Sequence, residues 1–259
     1  MMARITRRRL IALLAIGAAV AASAWGMAAW RDAQDKKEVQ RMTQKMMTVC
    51  LGRFLLDVPE GADIYFNPAT IDGVGIEVDP LDSENAFNER IKNREQALKA
   101  AKNEAGHASL EKKENIKHND LSGVLFKYDR ESVYWFEHDK KVTAEGMKVE
   151  AWVHDTKTQF KLYGEFDNKY LETVSEIAHK LKPLATGDIP ADPGFCINHG
   201  IVLDPLTAEQ NESGTVNVTL KDHPDVGIMF HTGINRTGLE ESLLVRLARD
   251  PDDPNHVKN

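Results

Sequence analysis

The sequence predicts an α+β protein of two related domains, each a mainly antiparallel sheet with helices packed on it. The second domain is expected to be incomplete, and an N-terminal transmembrane or signal helix is expected ahead of both. Three observations lead there. Strand-like and helix-like runs follow one another as βββα-ββββα between residues 47 and 186. The opening of that order recurs from residue 196. Residues 10–30 form an uncharged run of 21 residues behind Arg4, Arg7, Arg8 and Arg9.

A helix of 21 residues is long enough to span the hydrocarbon core of a bilayer. Basic residues on one side keep that end in the cytoplasm and send the C-terminal side across the membrane. Two readings stay open for residues 1–31. Ala22-Ser23-Ala24 has the small-x-small form of a signal-peptidase site. The length of the run, with Trp25 and Trp30 near its far end, suits an uncleaved anchor in the inner membrane. Either way residues 32–259 are expected in the periplasm, and residues 32–46 read as a polar linker.

Globular composition begins near Met46. Strands are expected at 53–58, ended by Pro59-Glu60-Gly61, at 62–66, stopped by Asn67-Pro68, and at 73–78. A helix starts at Asp82 or Ser83, either of which can cap free N–H groups. Phe87, Ile91, Leu98 and Ala101 give it one apolar stripe, and Gly106 can end it. Four strands follow, at 122–128, 132–137, 147–154 and 158–166. Val149, Ala151 and Val153 alternate with Lys148, Glu150, Trp152 and His154, as in a sheet with unlike faces. A helix over 168–182 carries Leu171, Val174, Ile177 and Leu181 on one side and stops at Pro183. Residues 185–193 read as a linker.

Cys50-Leu51-Gly52-Arg53-Phe54-Leu55-Leu56-Asp57-Val58-Pro59 is echoed by Cys196-Ile197-Asn198-His199-Gly200-Ile201-Val202-Leu203-Asp204-Pro205. Val74-Gly75-Ile76 is echoed by Val226-Gly227-Ile228, and Phe87, Ile91 and Arg94 by Leu239, Leu243 and Arg246. The common order suggests a duplication, with domains at 47–186 and 187–259 and the second stopping after its first helix.

Composition narrows the function. The 259 residues carry 33 basic and 40 acidic groups, a net charge of −7, which argues against nucleic acid as a partner. Residues 1–31 hold five basic groups and no acid, so residues 32–259 hold 28 and 40, a net of −12. No Gly-x-Ser-x-Gly, His-Glu-x-x-His or Cys-x-x-Cys occurs, and the nine histidines are dispersed. No catalytic, cofactor-binding or metal residue is assigned, and no cofactor is expected. Gly73-Val74-Gly75 lacks the rest of a phosphate loop and reads as a bulge or close packing within a strand. Asp79-Pro80-Leu81-Asp82 reads as a helix start rather than a calcium loop. Tyr134-Trp135-Phe136 puts aromatics on both faces of a strand; core packing is expected over an exposed anchor.

Cys50 and Cys196 stand at equivalent positions of the two copies. An oxidising compartment permits one bridge between them. Two small buried hydrophobes at the starts of two cores are the alternative.

The run from Cys50 to Pro59, after an N-terminal hydrophobic segment, resembles the opening of the Tle cognate immunity proteins of type four. Gly194-Phe195-Cys196-Ile197-Asn198-His199-Gly200 resembles the opening of that family's C-terminal domain. The resemblance covers about residues 46–249. It implies a periplasmic inhibitor of a type VI secretion phospholipase or lipase effector, whose two lobes grip the toxin and block substrate access or lid opening. It supplies no catalytic residues and no contact residues. A structural envelope protein held by residues 10–30 and an envelope hydrolase with dispersed active-site residues are the competing readings.

Overall fold

The computed structural model describes residues 7–205, 211–221 and 223–233; of residues 7–24 and Val133 only the backbone is described. The chain divides into two units, Met1–Met47 with Asp57–Gly61, and Thr48–Leu56 with Ala62–Asn259.

In the first unit α1 (Arg7–Met42) runs without a break through the uncharged segment and most of the expected linker. Pairs one turn apart, Lys36 with Asp32 at 2.8 Å and Arg41 with Glu38 at 2.6 Å, support its polar end. Among the described residues no helix is long and apolar enough to cross a membrane. The side chains that make up most of the uncharged run lie outside the described residues.

The second unit is built on antiparallel pairing. β1 (Met46–Leu51) and β2 (Phe54–Pro59) form a two-stranded sheet, of which residues 48–51 and 54–56 belong to this unit. The main sheet takes in β3 (Asp63–Phe66), β4 (Ala69–Ile71), β5 (Val74–Pro80), β6 (Leu110–His118), β7 (Leu121–Glu137), β8 (Lys140–His154), β9 (Thr158–Asp167), β13 (Glu212–Leu220) and β14 (His223–Gly233). Its order is β14-β13-β4-β5-β9-β8-β7-β6, with β3 also on β13. β10 (Leu181–Pro183), β12 (Gly200–Val202) and β11 (Phe195–Ile197) make a smaller sheet in that order.

Helices cover the main sheet on both faces, as the alternation within the strands requires. α2 (Glu84–Ala100) is capped by Ser83, whose Oγ accepts from the Ala86 N–H at 3.1 Å. It lays Phe87, Ile91 and Leu98 on Val124 and Phe126, with Trp152 and Tyr128 beside them. α3 (Thr173–Lys180) lays Val174, Ile177 and Ala178 on the other face, over Leu125, Val149, Ala151, Val153, Phe160 and Leu162. Arg94 on α2 reaches Glu150 of β8 through a two-bonded fork at 2.6 and 2.9 Å. The Tyr128 hydroxyl donates to the same carboxylate at 3.2 Å. Burial first, then the neighbouring Glu150 charge, pushes that hydroxyl up to about 12.

Several elements differ from expectation. Residues 122–137 form one strand rather than two, because a bulge between Tyr128 and Glu131 lets pairing with β8 continue. β6, in a stretch left without structure, is a charged edge strand whose Lys112, Lys113 and Lys117 hide the alternation. The helix expected over 168–182 shortens to α3. Asp167 Oδ1 accepts from the Lys169 N–H at 2.9 Å and forms a turn first, and Leu181 begins β10.

The largest difference concerns the C-terminal segment. Its two long strands do not start a separate sheet. β13 pairs with β4 through Glu212↔Ile71 and with β3 through Val216↔Phe66 to Thr219↔Asp63, and so extends the first sheet. Phe195, Ile197 and Val202 join the same core as Val149 and Leu162. Two further links tie the ends together. Cys50 and Cys196 form a disulfide, flanked by paired backbone bonds between Gly52 and Cys196 at 2.7 and 2.9 Å. Arg53 forks onto the buried Glu212 at 2.6 and 2.8 Å and donates to the Asp204 carbonyl. The helix expected near Leu239 and Leu243 lies outside the described residues.

Both links should be measurable. A bridge between residues 146 apart restricts the unfolded chain by about 5 kcal/mol in the entropy model. Dithiothreitol is expected to lower the urea midpoint while the far-ultraviolet circular dichroism of the folded baseline stays the same. An unchanged midpoint would show that the bridge does not restrict the unfolded chain. Arg53→Ala leaves the Glu212 carboxylate, 3% exposed, without its cation and should cost roughly 3–5 kcal/mol. Replacing both residues by apolar ones of similar size should cost much less.

Candidate interaction site

Beyond the bulge, β7 and β8 leave the sheet as a two-stranded arm. β6 stays beside β7 only as far as Leu110↔Tyr128, and β9 stays beside β8 only as far as Gly146↔Asp167. The Asn168 N–H still donates to the Glu145 carbonyl at 3.2 Å; from Val133↔Ala144 to Glu137↔Lys140 the two strands pair only with each other. The arm closes on His138-Asp139, both at positive φ (48° and 62°), the pattern of a tight hairpin turn whose twist matches the strands. Asp72-Gly73 closes β4–β5 in the same way.

The root of the arm is held by charge and hydrogen bonds. Asp129 takes the extra position of the bulge at φ 50°. Its Oδ1 accepts from the buried Ser109 hydroxyl, and its N–H donates to the Ser109 carbonyl at 3.0 Å. Lys148 Nζ lies 3.4 Å from the other carboxylate oxygen. The next residue, Arg130, forks onto Glu111 at 2.7 and 2.8 Å and donates to Asn168 Oδ1 at 3.1 Å. Those bonds hold the Glu111 carboxyl below its ordinary range and raise the Arg130 guanidinium.

The tip is apolar and uncovered. Tyr134 is 61% exposed, Trp135 39% and Phe136 66%, against the expectation that they pack in a core. The physical reason is the register: these residues lie past the ends of β6 and β9, where no third strand covers them. Tyr134 and Phe136 share one face, edge to face at 6.2 Å, with Lys141 Nζ 4.2 Å above the tyrosine ring. Trp135 lies on the other face, opposite Val142.

Elsewhere, the residues that the sequence singled out serve the fold. Gly75 underlies Tyr163, whose ring would meet an added Cβ at 2.7 Å, and Gly73 completes a turn at φ 83°. Asp82 pairs with Arg90 at 3.1 Å beside the helix cap. Ser122 Oγ lies 3.4 Å from His154 Nε2, a spacing that invites comparison with a hydrolase pair. His154 Nδ1 meets the Asp155 backbone carbonyl at 2.7 Å, while the Asp155 carboxylate accepts from the Lys157 and Thr158 N–H groups. The pair is a cross-strand contact next to a turn. Among the described residues no group of three or more His, Cys, Asp or Glu could hold a metal ion.

Comparison with known proteins decides the family. The model of the Tle cognate immunity protein 4 N-terminal domain matches residues 47–182, and that of the C-terminal domain matches residues 188–257. The chain belongs to the Tle cognate immunity protein 4 family. Solved structures agree on the fold. A Tle4–Tli4 complex matches with a TM-score of 0.57 and 24% identity, over 78% of this chain and 63% of that one. The apo immunity protein TplEi of the type VI secretion system of Pseudomonas aeruginosa matches with a TM-score of 0.58 and 24% identity, over 80% and 66%. TplEi with an "L" peptide matches at 0.54 and 25%, over 78% and 62%. The chain thus spans 62–66% of the length of these structures. No curated protein matches it.

The clamp at the arm's root has a pH signature. Glu111 has a depressed carboxyl in the folded state, so its contribution is present above the ordinary carboxylate range. It is lost as pH falls through the lowered value. The protection of the Arg130 and Glu131 amides, taken as the intrinsic exchange rate at each pH divided by the observed one, should therefore hold from pH 7 down to about 5 and fall only in stronger acid. Glu111→Gln should remove that step, and a step that persists would place the clamp elsewhere.

Proposed function

We propose that this chain is an exported immunity protein that binds and neutralises a phospholipase effector of the type VI secretion system. The observation that carries the reading is the ordered match to both family domains. Residues 1–31 act as signal peptide or anchor and residues 32–46 as a linker. Residues 47–186 and 187–259 form the N- and C-terminal immunity-protein domains in the periplasm. Neutralisation is steric: a bound protein of this size blocks the lipid substrate or holds the effector's lid. Such an inhibitor needs a rigid scaffold and a complementary surface, and it needs no catalytic group. The net charge of −12 beyond residue 31 favours encounter with a cationic surface on the effector.

The test is survival. Cells that make the full chain should withstand a Tle4-type phospholipase delivered to their periplasm, and cells that make residues 32–259 alone should not. Purified chain should inhibit the same enzyme in a defined lipid assay. Full phospholipase activity at saturating chain would overturn the reading.

A further inference from the structure

The β7–β8 arm can be given a role that rests on the immunity reading and sharpens it. Five cross-strand pairs beyond the sheet give it a reach of about 17 Å. Its aromatic residues lie on both faces, Tyr134 and Phe136 on one and Trp135 on the other. A flat partner would bury one face and leave the other wet; a cleft buries both. The root is clamped by Ser109, Lys148, Glu111 and Asn168, so the tip is presented in one direction at a small cost in ordering.

Charge separates two possible occupants. Glu131 and Glu145 face Lys148 and Arg130 at the root, at 3.9 and 3.7 Å, so the tip carries Glu137 and Asp139 against Lys140 and Lys141. Lys141 is drawn over the Tyr134 ring. A hairpin that enters an anionic membrane surface carries a cationic excess, which this tip lacks. Glu137 and Asp139 match a protein cleft with basic groups at its mouth.

We propose that the β7–β8 arm is a wedge that enters an apolar cleft of the effector, the kind of cleft a phospholipase needs for acyl chains, with Glu137 and Asp139 meeting basic groups at its rim. Tyr134, Trp135 and Phe136 are the anchors, and the arm competes with lipid for the same space.

The experiment uses the full chain in detergent and a Tle4-type phospholipase. Replacing Tyr134, Trp135 and Phe136 together by serine should weaken binding at least 100-fold, with an unchanged thermal midpoint because the three side chains are exposed. Amide exchange on the unmodified chain gives a second measurement that does not depend on the variant folding. Residues 132–144 should be protected by the effector, and not by vesicles of phosphatidylethanolamine and phosphatidylglycerol. Inhibition should be competitive towards a short-chain monomeric ester. If the serine variant binds as tightly as the parent, or if the arm exchanges freely in the complex, the wedge is overturned and the immunity reading stands. Protection by vesicles with none from the effector overturns it in favour of a membrane contact. An effector that the parent chain fails to bind overturns both.

Discussion

The outer edges of β4 and β3 would leave rows of N–H and C=O groups unpaired if β13 did not lie against them. β4 has three residues and β3 has four, too few to guard an edge by themselves. β13 has nine, and buried residues recur at every second position, from Glu212 to Leu220. One strand from late in the chain therefore completes a sheet begun about 140 residues earlier. Most of the remaining architecture depends on that requirement. Glu212, at the start of β13, is carried into a buried place and needs a cation, which Arg53 supplies. The backbone bonds from Gly52 and the disulfide from Cys50 to Cys196 of β11 hold the approach to that pair. Residues on both sides of position 187, such as Leu181 and Phe195, share one core. The C-terminal strands cannot depart without exposing it.

A sheet stabilised in this way can carry an extension that adds little to its own stability. The arm buries few side chains, and its root is held by contacts that are partly exposed. Single surface ion pairs contribute about 0–1 kcal/mol. Here Glu111–Arg130, Asp129–Lys148 and the Ser109 hydroxyl act on two adjacent residues, so they add where direction is set. Their effect is geometric: a bulge re-aims the strands, and these contacts keep that angle.

The sequence made the helix over Phe87, Ile91 and Leu98 legible, since Ser83 and a 3.6-residue stripe coincide. Period-2 alternation in β8 was equally readable, because Val149, Ala151 and Val153 face one core while Glu150 and Trp152 face another layer. β6 was hidden because an edge strand is protected by the same lysines that erase its pattern. The site itself was half legible. Tyr134-Trp135-Phe136 stood out by composition, yet core and exposed aromatics share one pattern within a strand. What separates them is where the neighbouring strands end, and that is a property of pairing partners such as Leu110 and Asp167. The join of β13 to β3 was unreadable for a related reason. Val216 and Val218 alternate as well for a new sheet as for the edge of an old one.

The proposed role would separate the speed of binding from its duration. Charge spread over residues 32–259 acts at a distance within a Debye length of about 8–10 Å and would raise the rate of encounter with a cationic partner. Aromatic anchors act only at contact, and contact chemistry sets the dissociation rate. The two properties lie on different residues, so each can vary without the other. If the arm is the proposed wedge, divergence at its tip would retarget the chain to a different cleft while the acidic body and the β13 closure stay as they are. The fold itself is shared with solved structures at 24% identity, and on the proposed reading partner choice would lie in the few residues that the sheet leaves uncovered.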